Sequence, residues 1–272
     1  MDAVPQASTP VHTNRRSVWI LFALFLLGLF CALAIKTSLR TRLVPAVLVT
    51  LGFALFARLS GGVTYSGAAA GFLVTCLLFL SSGPAIFIAV LLVFVLTLAA
   101  TRFGRTRKRS LDIAERPGGR DGAQVLANVG ISATFAALSS LTPYPVPLIA
   151  GSLSALAEAA CDTVSSETGK ALAREARLVI SGKLVPAGTD GAVSMPGTML
   201  GVLAAAFIAI EAAIAGLLDL HSAVIVTLAG TLAMLLDSLL GATLERQGRI
   251  TNNGVNLVST LVAALLATIL TW

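Results

Sequence analysis

The stretch AEAACDTVSSETG (157–169) places acidic side chains within sequence that is otherwise apolar enough for a membrane. Glu158 and Asp162 are four residues apart, so a helix stacks them on one face. Glu167 faces elsewhere on an ideal helix, unless the helix ends or unwinds near Gly169. A carboxylate within a membrane-spanning helix is costly and marks an ion path or a reaction site. The alternative is a helix end from which these acids emerge into water.

The composition of the whole chain supports a membrane setting. Of its 272 residues, 56% are hydrophobic and only 12% are charged, whereas a soluble domain is about 25% charged. Because a lipid-facing backbone must satisfy its own hydrogen bonds, the predicted fold class is an all-α, polytopic transmembrane helical bundle. The net charge of +6 comes from basic residues that flank the apolar segments. Membrane orientation explains them better than nucleic acid, so no nucleic-acid partner is expected.

About nine membrane spans are predicted from the length of the apolar runs. They lie near 17–35, 43–59, 64–80, 84–101, 122–142, 147–168, 196–217, 222–241 and 254–271. A polar tail (1–16) precedes a single integral membrane domain (17–272). The second and third spans form, as an alternative, one re-entrant hairpin. Gly67 and Gly71 suit close helix packing.

The basic residues predict the orientation of the spans. The loop 102–120 is rich in Arg and Lys and is therefore expected in the cytoplasm. Alternation from there places the N-terminus in the cytoplasm, and Lys36, Arg40 and Arg42 are exceptions on the outer side. The loops are too short to form soluble domains with cores of their own. The expected location is a bacterial inner (plasma) membrane.

The unusual polar residues gather at predicted cytoplasmic ends of the spans. They are Arg120, Asp121, Gln124 and Asn128 before and within the fifth span; Asp162 and Glu167 in the sixth; Gly188, Thr189, Asp190, Gly191 and Ser194 before the seventh; Asp237 and Ser238 in the eighth; and Thr251, Asn252, Asn253 and Asn256 at the ninth. The sequence therefore predicts a single polar site that faces the cytoplasm.

These residue types suit phosphoryl transfer. Mg²⁺ prefers oxygen ligands such as carboxylates and phosphates, and the candidate ligands are Asp162, Glu167, Asp190 and Asp237. The segment Gly188–Gly191 offers backbone N–H groups beside a helix start for binding an anion. Basic side chains offset the phosphate charge, and the candidates are Arg105, Lys108, Arg120 and Lys183. Metal-bridged phosphates need no covalent nucleophile.

Taken singly, each cluster has a simpler interpretation. The segment Gly188–Gly191 is then an ordinary turn, and Asp121 and Asn252–Asn253 are helix caps. The run Arg107–Arg109 is an orientation signal. Glu211 is expected to make a buried structural hydrogen bond. The functional interpretation depends on the clusters lying together.

Five segments in the same order resemble a family of integral membrane proteins, DUF92, which includes phytyl-phosphate kinases. They are GRDGAQVLAN (119–128), ACDTVSSETG (160–169), PAGTDGAVSMPGT (186–198), LLDSLLGATLE (235–245) and TNNGVNLVSTL (251–261). The resemblance covers about 60–272. Cys161, Val164 and Ser165 replace the family's usual Ala, Trp and Ala, and Asn253 replaces an Asp.

The resemblance implies a kinase that converts a prenyl (phytyl-like) monophosphate to the diphosphate, with Mg²⁺ as cofactor. The expected donor is a nucleoside triphosphate, CTP or else ATP, and the lipid acceptor lies among the spans beside membrane lipids. Asp162, Glu167 and Arg120 are the expected catalytic residues, with Arg120 compensating charge on the transferring group. The expected phosphate and nucleotide ligands are Gln124, Asn128, Gly188, Thr189, Asp190, Gly191, Ser194, Ser238, Asn252, Asn253 and Asn256.

Two other classes of protein are kept open. A transporter or flippase of a lipid phosphate or small anion predicts polar residues through the whole depth of the bilayer. A structural or assembly protein predicts that Asp162, Asp190 and Asp237 lie far apart. The small-residue helix faces also suit self-association into a homo-oligomer.

Overall fold

The structure is a computed structural model that describes residues 15–36, 39–114 and 118–272. Most of the predicted polar tail (1–16) therefore lies outside the described residues. The side chains of Lys36 and Arg40, two of the expected exceptions to the charge rule, lie outside them as well.

Helices make up nearly all of the described chain. They are α1 (Arg15–Lys36), α2 (Leu39–Leu59), α3 (Tyr65–Ser82), α4 (Pro84–Arg102), α5 (Arg105–Ser110), α6 (Gly122–Leu141), α7 (Pro145–Leu172), α8 (Met195–Ile214), α9 (Leu220–Leu240) and α10 (Asn252–Leu270). A π-helical turn, Gly241–Glu245, extends α9. The predicted all-α, polytopic membrane fold is confirmed.

Among the described helices, eight are long and apolar enough to cross a bilayer. The remaining predicted span, the sixth (147–168), corresponds to α7, which is 28 residues long but more polar than the others. Helices α2 and α3 are separate, and each is long and apolar enough to cross a bilayer, which favours two spans over one re-entrant hairpin.

Helix α7 is the centre of the bundle. It packs against α4, α6, α8, α9 and α10, and every residue from 149 to 161 is buried. A helix buried on all sides is apolar around its whole circumference, and here it is also rich in Ala, Ser and Gly. Small side chains let neighbouring helices approach closely, so α7 has neighbours on every side.

Large apolar side chains cover the outside of the bundle. Leu21, Leu48, Leu203, Phe207 and Leu228 are each more than half exposed, on α1, α2, α8 and α9. Lipid tails solvate such side chains, whereas water would not. The exterior is therefore the surface of a membrane protein, with its polar side chains turned inward.

A small three-stranded antiparallel sheet follows α7 and was not predicted. Its strands are β1 (Glu175–Leu178), β2 (Leu184–Pro186) and β3 (Ala192–Val193), in the order β2-β1-β3. Ala176 pairs with Val185, and Arg177 pairs with both Leu184 and Val193. The sheet gives a fixed backbone to the segment that was expected to be an irregular loop.

The chain before α6 is held by the α2–α3 connection. The Arg120 N–H donates to Gly62 O at 3.0 Å, and the Thr64 N–H donates to Arg120 O at 3.0 Å. A Cβ added at Gly67 would lie 2.2 Å from Arg120 O, while one at Gly71 would meet nothing within 4 Å. The prediction of close packing is therefore confirmed for Gly67 and wrong for Gly71, and the backbone of Arg120 is fixed.

Candidate active site at one end of the bundle

A polar cavity of about 360 Å³ opens at one end of the bundle. It lies between the sheet segment and the ends of α6, α7, α9 and α10. Nearly all of the predicted site residues line it: Arg120, Gln124, Asn128, Asp162, Glu167, Gly188, Thr189, Asp190, Gly191, Ser194, Asp237, Ser238, Asn252 and Asn256. Asn253 does not line it. The expected gathering of the polar clusters at one site is thus what the structure shows.

Asparagine side chains join α6 to α10 beside the cavity. Asn256 Nδ2 donates to Asn128 Oδ1 at 3.2 Å, and Asn128 Nδ2 donates to Gln124 O at 2.8 Å. Asp121 caps α6 in a capping box with Gln124, which confirms its interpretation as a cap. At α10 the capping side chain belongs to Thr251, so the interpretation of Asn252–Asn253 as the cap is wrong.

Asp162 and Asp237 are two neighbouring acids that line the cavity. They lie close enough for their like charges to interact. Asp237 Oδ2 accepts a hydrogen bond of 3.1 Å from Ser259 Oγ, a hydroxyl that is fully buried. One helical turn deeper, Glu158 is 1% exposed and its Oε1 lacks a partner among the described residues. The buried hydroxyl of Ser259 and the buried carboxyl of Glu158 thus extend the polar site into the bundle.

The described residues contain no group of three His, Cys, Asp or Glu side chains already placed to hold a metal ion. The four predicted ligands share a cavity without forming a closed cage. This arrangement suits Mg²⁺, which keeps several waters and binds through one or two carboxylates together with substrate phosphates.

Glu167 is held by two lysines. Lys108 Nζ donates to its Oε2 at 2.6 Å, and Lys170 Nζ donates to its Oε1 at 2.9 Å. Helix α7 continues to Leu172, so it does not end near Gly169, the condition under which Glu167 would join Asp162. Glu167 nevertheless lines the cavity. Lys108, expected to offset phosphate charge, is instead fully buried against Glu167.

The last turn of α7 receives a second basic residue from α5. Arg107 donates to Ala171 O at 2.9 Å and to Ala173 O at 2.7 Å. The last carbonyls of a helix lack partners within the helix, and a guanidinium satisfies both their hydrogen bonding and the helix dipole. The sequence showed Arg107 only as part of an orientation signal.

The segment Gly188–Gly191 connects β2 to β3 and forms one wall of the cavity. Gly188 and Gly191 have φ values of +90° and +73°, which L side chains rarely adopt. A Cβ at Gly191 would lie 2.3 Å from Ala242 Cβ, in the π-helical turn after α9. Thr189 Oγ1 donates to Pro186 O at 2.7 Å. The segment is therefore a fixed turn that packs against α9.

Two further residues complete this wall. Ser194 caps α8, where its Oγ accepts from the Gly197 N–H at 3.3 Å. Glu245, in the π-helical turn, lines the cavity near Asp190 and was not predicted as a site residue. The sequence feature that could have identified Glu245 as a site residue is its position within the family-like segment LLDSLLGATLE.

Arg120 extends its guanidinium between α4 and α7. Its Nη1 donates to Thr97 Oγ1 at 2.9 Å, and its Nη2 lies 3.5 Å from Thr163 Oγ1. It is close enough to Asp162 for the opposite charges to attract. Since its backbone is also fixed, Arg120 is a positive charge with a defined position at the edge of the acidic cavity.

Asp219 and Glu211 are among the acids that do not line the cavity. Asp219, at the opposite end, caps α9, and the Ser222 N–H that it accepts at 2.7 Å lowers the pKa of its carboxyl. Glu211 of α8 was expected to make a buried hydrogen bond. Its buried Oε2 has no partner among the described residues, so that expectation is wrong for this oxygen.

Fold and cavity together define a polytopic helical membrane protein with a polar site at one end of the bundle. Residues 48–264 match the family described as integral membrane protein DUF92. The chain belongs to this family. The resemblance found in the sequence motifs is thereby confirmed.

Relatives occur in a plant, a cyanobacterium and an archaeon. The chain is 33% identical to protein VTE6, chloroplastic, of Arabidopsis thaliana over 216 residues, which are 76% of this chain and 64% of that one. An uncharacterized membrane protein of Synechocystis is 34% identical, over 66% of this chain and 72% of its own. Another uncharacterized membrane protein, of Methanocaldococcus jannaschii, is 32% identical over 84% of this chain and 94% of its own. No solved structure matches the chain.

Proposed function

We propose that this protein is a membrane-embedded kinase that converts a prenyl monophosphate, phytyl-like in class, to the diphosphate. The donor is a nucleoside triphosphate, CTP in the first instance and ATP otherwise. The observation that carries the proposal is the shared cavity. Acids, amides, a glycine turn and Arg120, separated by more than a hundred residues of sequence, line one space at one end of the bundle. The phytyl-phosphate kinases within the resembled family supply the substrate class.

The donor set of the cavity fits Mg²⁺. Asp162 and Asp237 are the candidate direct ligands. Asp190 and Glu245 also line the cavity and are within range of electrostatic interaction with each other. Both oxygens of Glu167 already accept from lysines, so Glu167 is proposed to hold the shape of α7 and to act on the metal through water. When bound, Mg²⁺ would supply positive charge that offsets the charge of the donor phosphates.

The protein's own groups would position the two phosphates for an in-line transfer. An oxygen of the acceptor monophosphate forms a bond to the terminal phosphorus of the donor, the bond from that phosphorus to its bridging oxygen breaks, and the nucleoside diphosphate leaves. Arg120 compensates charge on the transferring group, while Asn128 and Asn256 orient phosphate oxygens. Fixed donors stabilise the transition state because they need no reorganisation during the reaction.

The turn Gly188–Gly191 and Ser194 are proposed to hold the donor nucleotide. Gly188, Thr189 and Ser194 lie on one wall of the cavity, and Ser238 and Asn252 lie on others. The site faces the cytoplasm, where nucleoside triphosphates are available, and the membrane is the inner membrane of a bacterium. This orientation agrees with the excess of basic residues near the same end of the bundle.

The decisive test is direct conversion. Purified protein in lipid nanodiscs, supplied with phytyl monophosphate, Mg²⁺ and either CTP or ATP, is expected to form phytyl diphosphate, detected by mass spectrometry. Asp162→Asn is nearly isosteric and is expected to lower the rate by about a hundredfold or more, as for loss of a key electrostatic group. A folded Asp162→Asn protein with unchanged turnover would contradict the proposal.

The matched control is Asp112→Asn. Asp112 is an exposed acid near the same end of the bundle and does not line the cavity. Its φ of +56° is one that Asn also adopts. Equal rates for this variant and the unmodified protein would show that a change of charge near this end of the bundle is not by itself harmful.

A further inference from the structure

A second cavity, of about 300 Å³, lies beside the acidic one and is lined by arginines. Arg58 of α2, Arg102 of α4, Arg105 of α5 and Arg120 contribute to its wall. None of the lining residues that the structure describes is acidic. Of the residues that the structure describes, Arg120 and Ala114 alone line both this cavity and the acidic one. The two spaces therefore adjoin but have opposite charge.

Among the described residues, these arginines have no carboxylate partner. Within residues 15–36, 39–114 and 118–272, the ion pairs are those of Glu167 with Lys108 and Lys170. Arg102 donates instead to Ser60 O, and Arg120 donates to Thr97 Oγ1. Arg58 stacks on the Tyr65 ring at 4.3 Å, and its Nε is buried without a hydrogen-bond partner. Several like charges around one cavity repel each other unless an anion lies among them.

A third, apolar cavity continues from the arginine-lined one into the bundle. It lies among α2, α3, α4 and α6, and its walls include Phe53, Val74, Val90 and Val129. It shares Gly62, Phe94, Thr97 and Arg120 with the arginine-lined cavity. Arg120 is thus a wall residue of all three cavities. The apolar cavity has a volume of about 70 Å³, which is room for the first carbons of a hydrocarbon chain. A molecule with a charged end and such a chain would place its charge among the arginines and the start of its chain in the apolar cavity.

We infer that the arginine-lined cavity binds the phosphate of a lipid phosphate monoester whose hydrocarbon chain enters the apolar cavity, while the nucleotide phosphates occupy the acidic cavity. This inference rests on the proposed function and adds a separate acceptor subsite to it. A phosphate among arginines is held by charge-assisted hydrogen bonds and needs no metal. A triphosphate among carboxylates does need one, because without a cation the like charges repel. The opposite charge of the two cavities therefore separates acceptor from donor, with Arg120 between them.

The test is a binding measurement without metal or donor. Protein in nanodiscs, in buffer that contains EDTA, is titrated with geranylgeranyl monophosphate, with the alcohol geranylgeraniol and with inorganic phosphate. The monophosphate is expected to bind at least tenfold more tightly than either of the others, since only it has both a phosphate for the arginines and a hydrocarbon chain for the apolar cavity. Arg58→Gln and Arg105→Gln are each expected to raise its dissociation constant about tenfold. Binding of CTP with Mg²⁺ is expected to change less than about twofold in these variants.

The matched control is Arg109→Gln. Arg109 is exposed on the same short helix as Arg105 and does not line the cavity, so its variant is expected to bind like the unmodified protein. Arg105 lies on the exposed side of α5, so Arg105→Gln provides the measurement even where Arg58→Gln does not fold.

The outcomes separate this inference from the proposed kinase activity. If Arg58→Gln and Arg105→Gln bind the monophosphate as Arg109→Gln does, the inference is wrong, whatever the activity. Equal affinity for inorganic phosphate and for the monophosphate would also overturn it. If the arginine variants weaken binding but no diphosphate ever forms with a donor, the lipid phosphate subsite stands and the kinase proposal fails.

Discussion

Lys108 Nζ lies 2.6 Å from Glu167 Oε2, and together these residues join the chain after α4 to the central helix. The side chain of Lys108 is 1% exposed and that of Glu167 is 6% exposed. The same ammonium group donates to Ala100 O at 3.1 Å and to Thr101 O at 2.8 Å. All three donors of the ammonium are therefore satisfied, as a buried charge requires.

Lys108→Met is expected to destabilise the protein strongly. Removing one partner of a buried ion pair leaves the other charge uncompensated and costs about 3–5 kcal/mol. Lys170→Met removes the more exposed partner of Glu167 and is expected to cost about 1 kcal/mol or less. The measurement is the free energy of unfolding in mixed detergent micelles.

The double variant Lys108→Met/Glu167→Met provides the control for this prediction. Replacing both members of a buried pair by apolar groups removes the uncompensated charge, so most of the lost stability is expected to return. A Lys108→Met protein as stable as the unmodified one would show that this ion pair does not hold α5 to α7.

Gly191→Ala is expected to displace the turn that forms one wall of the cavity and so to weaken nucleotide binding. The added Cβ would lie 2.3 Å from Ala242 Cβ and 2.5 Å from Ala242 N, so the turn Gly188–Gly191 must move away from the end of α9. We expect the KM for the nucleotide to rise about tenfold or more, since displaced binding groups lose their alignment. Steady-state kinetics with varied nucleotide measure this change.

Gly182→Ala is its matched control. Gly182 has a similar φ of +66°, but an added Cβ there would meet nothing within 4 Å. Both variants therefore carry the same backbone strain, and only Gly191→Ala also carries the clash. Equal KM values for the two variants would mean that strain alone, rather than contact with Ala242, accounts for any defect.

Asp219 makes the stability of the opposite end depend on pH. The Ser222 N–H lowers the pKa of its carboxyl in the folded protein. A lowered pKa contributes stability that is present above the ordinary value of about 3.9 and is lost as the pH falls through the lowered value. In Asp219→Asn the cap remains but this titration disappears.

The corresponding measurement is the melting temperature from pH 2 to pH 6. The unmodified protein is expected to melt at a higher temperature than Asp219→Asn. This difference in melting temperature is expected to be constant near pH 6 and to shrink toward acid pH. Because Asp219 is exposed, the difference is expected to be small. A difference that grows toward acid pH would contradict the assigned direction.

The meeting of the polar clusters could be predicted from the sequence because helices that span a membrane alternate in direction. Once the basic loop 102–120 fixed one end, Asp162 and Asp237 had to lie at that same end. Periodicity was less informative about Glu167. An ideal helix turns it away from Asp162, yet Lys108 and Lys170 hold it beside the same cavity.

The sheet and the arginine-lined cavity could not be predicted in this way. Strands β1, β2 and β3 have four, three and two residues, which is too short for alternation of apolar and polar residues to show. Arg58 and Arg102 carried only the general signal of basic loop residues. Their convergence depends on how α2 packs near α4, and nothing in their spacing reveals it.

The requirement for Mg²⁺ is expected to depend on the acid pair Asp162 and Asp237. These like charges lie close to each other, and a divalent cation between them would relieve the repulsion. Asp237→Asn removes one charge and is expected to raise the Mg²⁺ concentration for half-maximal rate about tenfold, while excess EDTA abolishes turnover.

Ser259→Ala removes the hydroxyl that donates to Asp237 at 3.1 Å and is expected to shift the same midpoint about threefold, since it acts only through Asp237. Ser139→Ala is the matched control, because the Ser139 hydroxyl is buried but bonds only within its own helix, to Ala136 O. An unchanged Mg²⁺ midpoint in Asp237→Asn would place the metal elsewhere in the cavity.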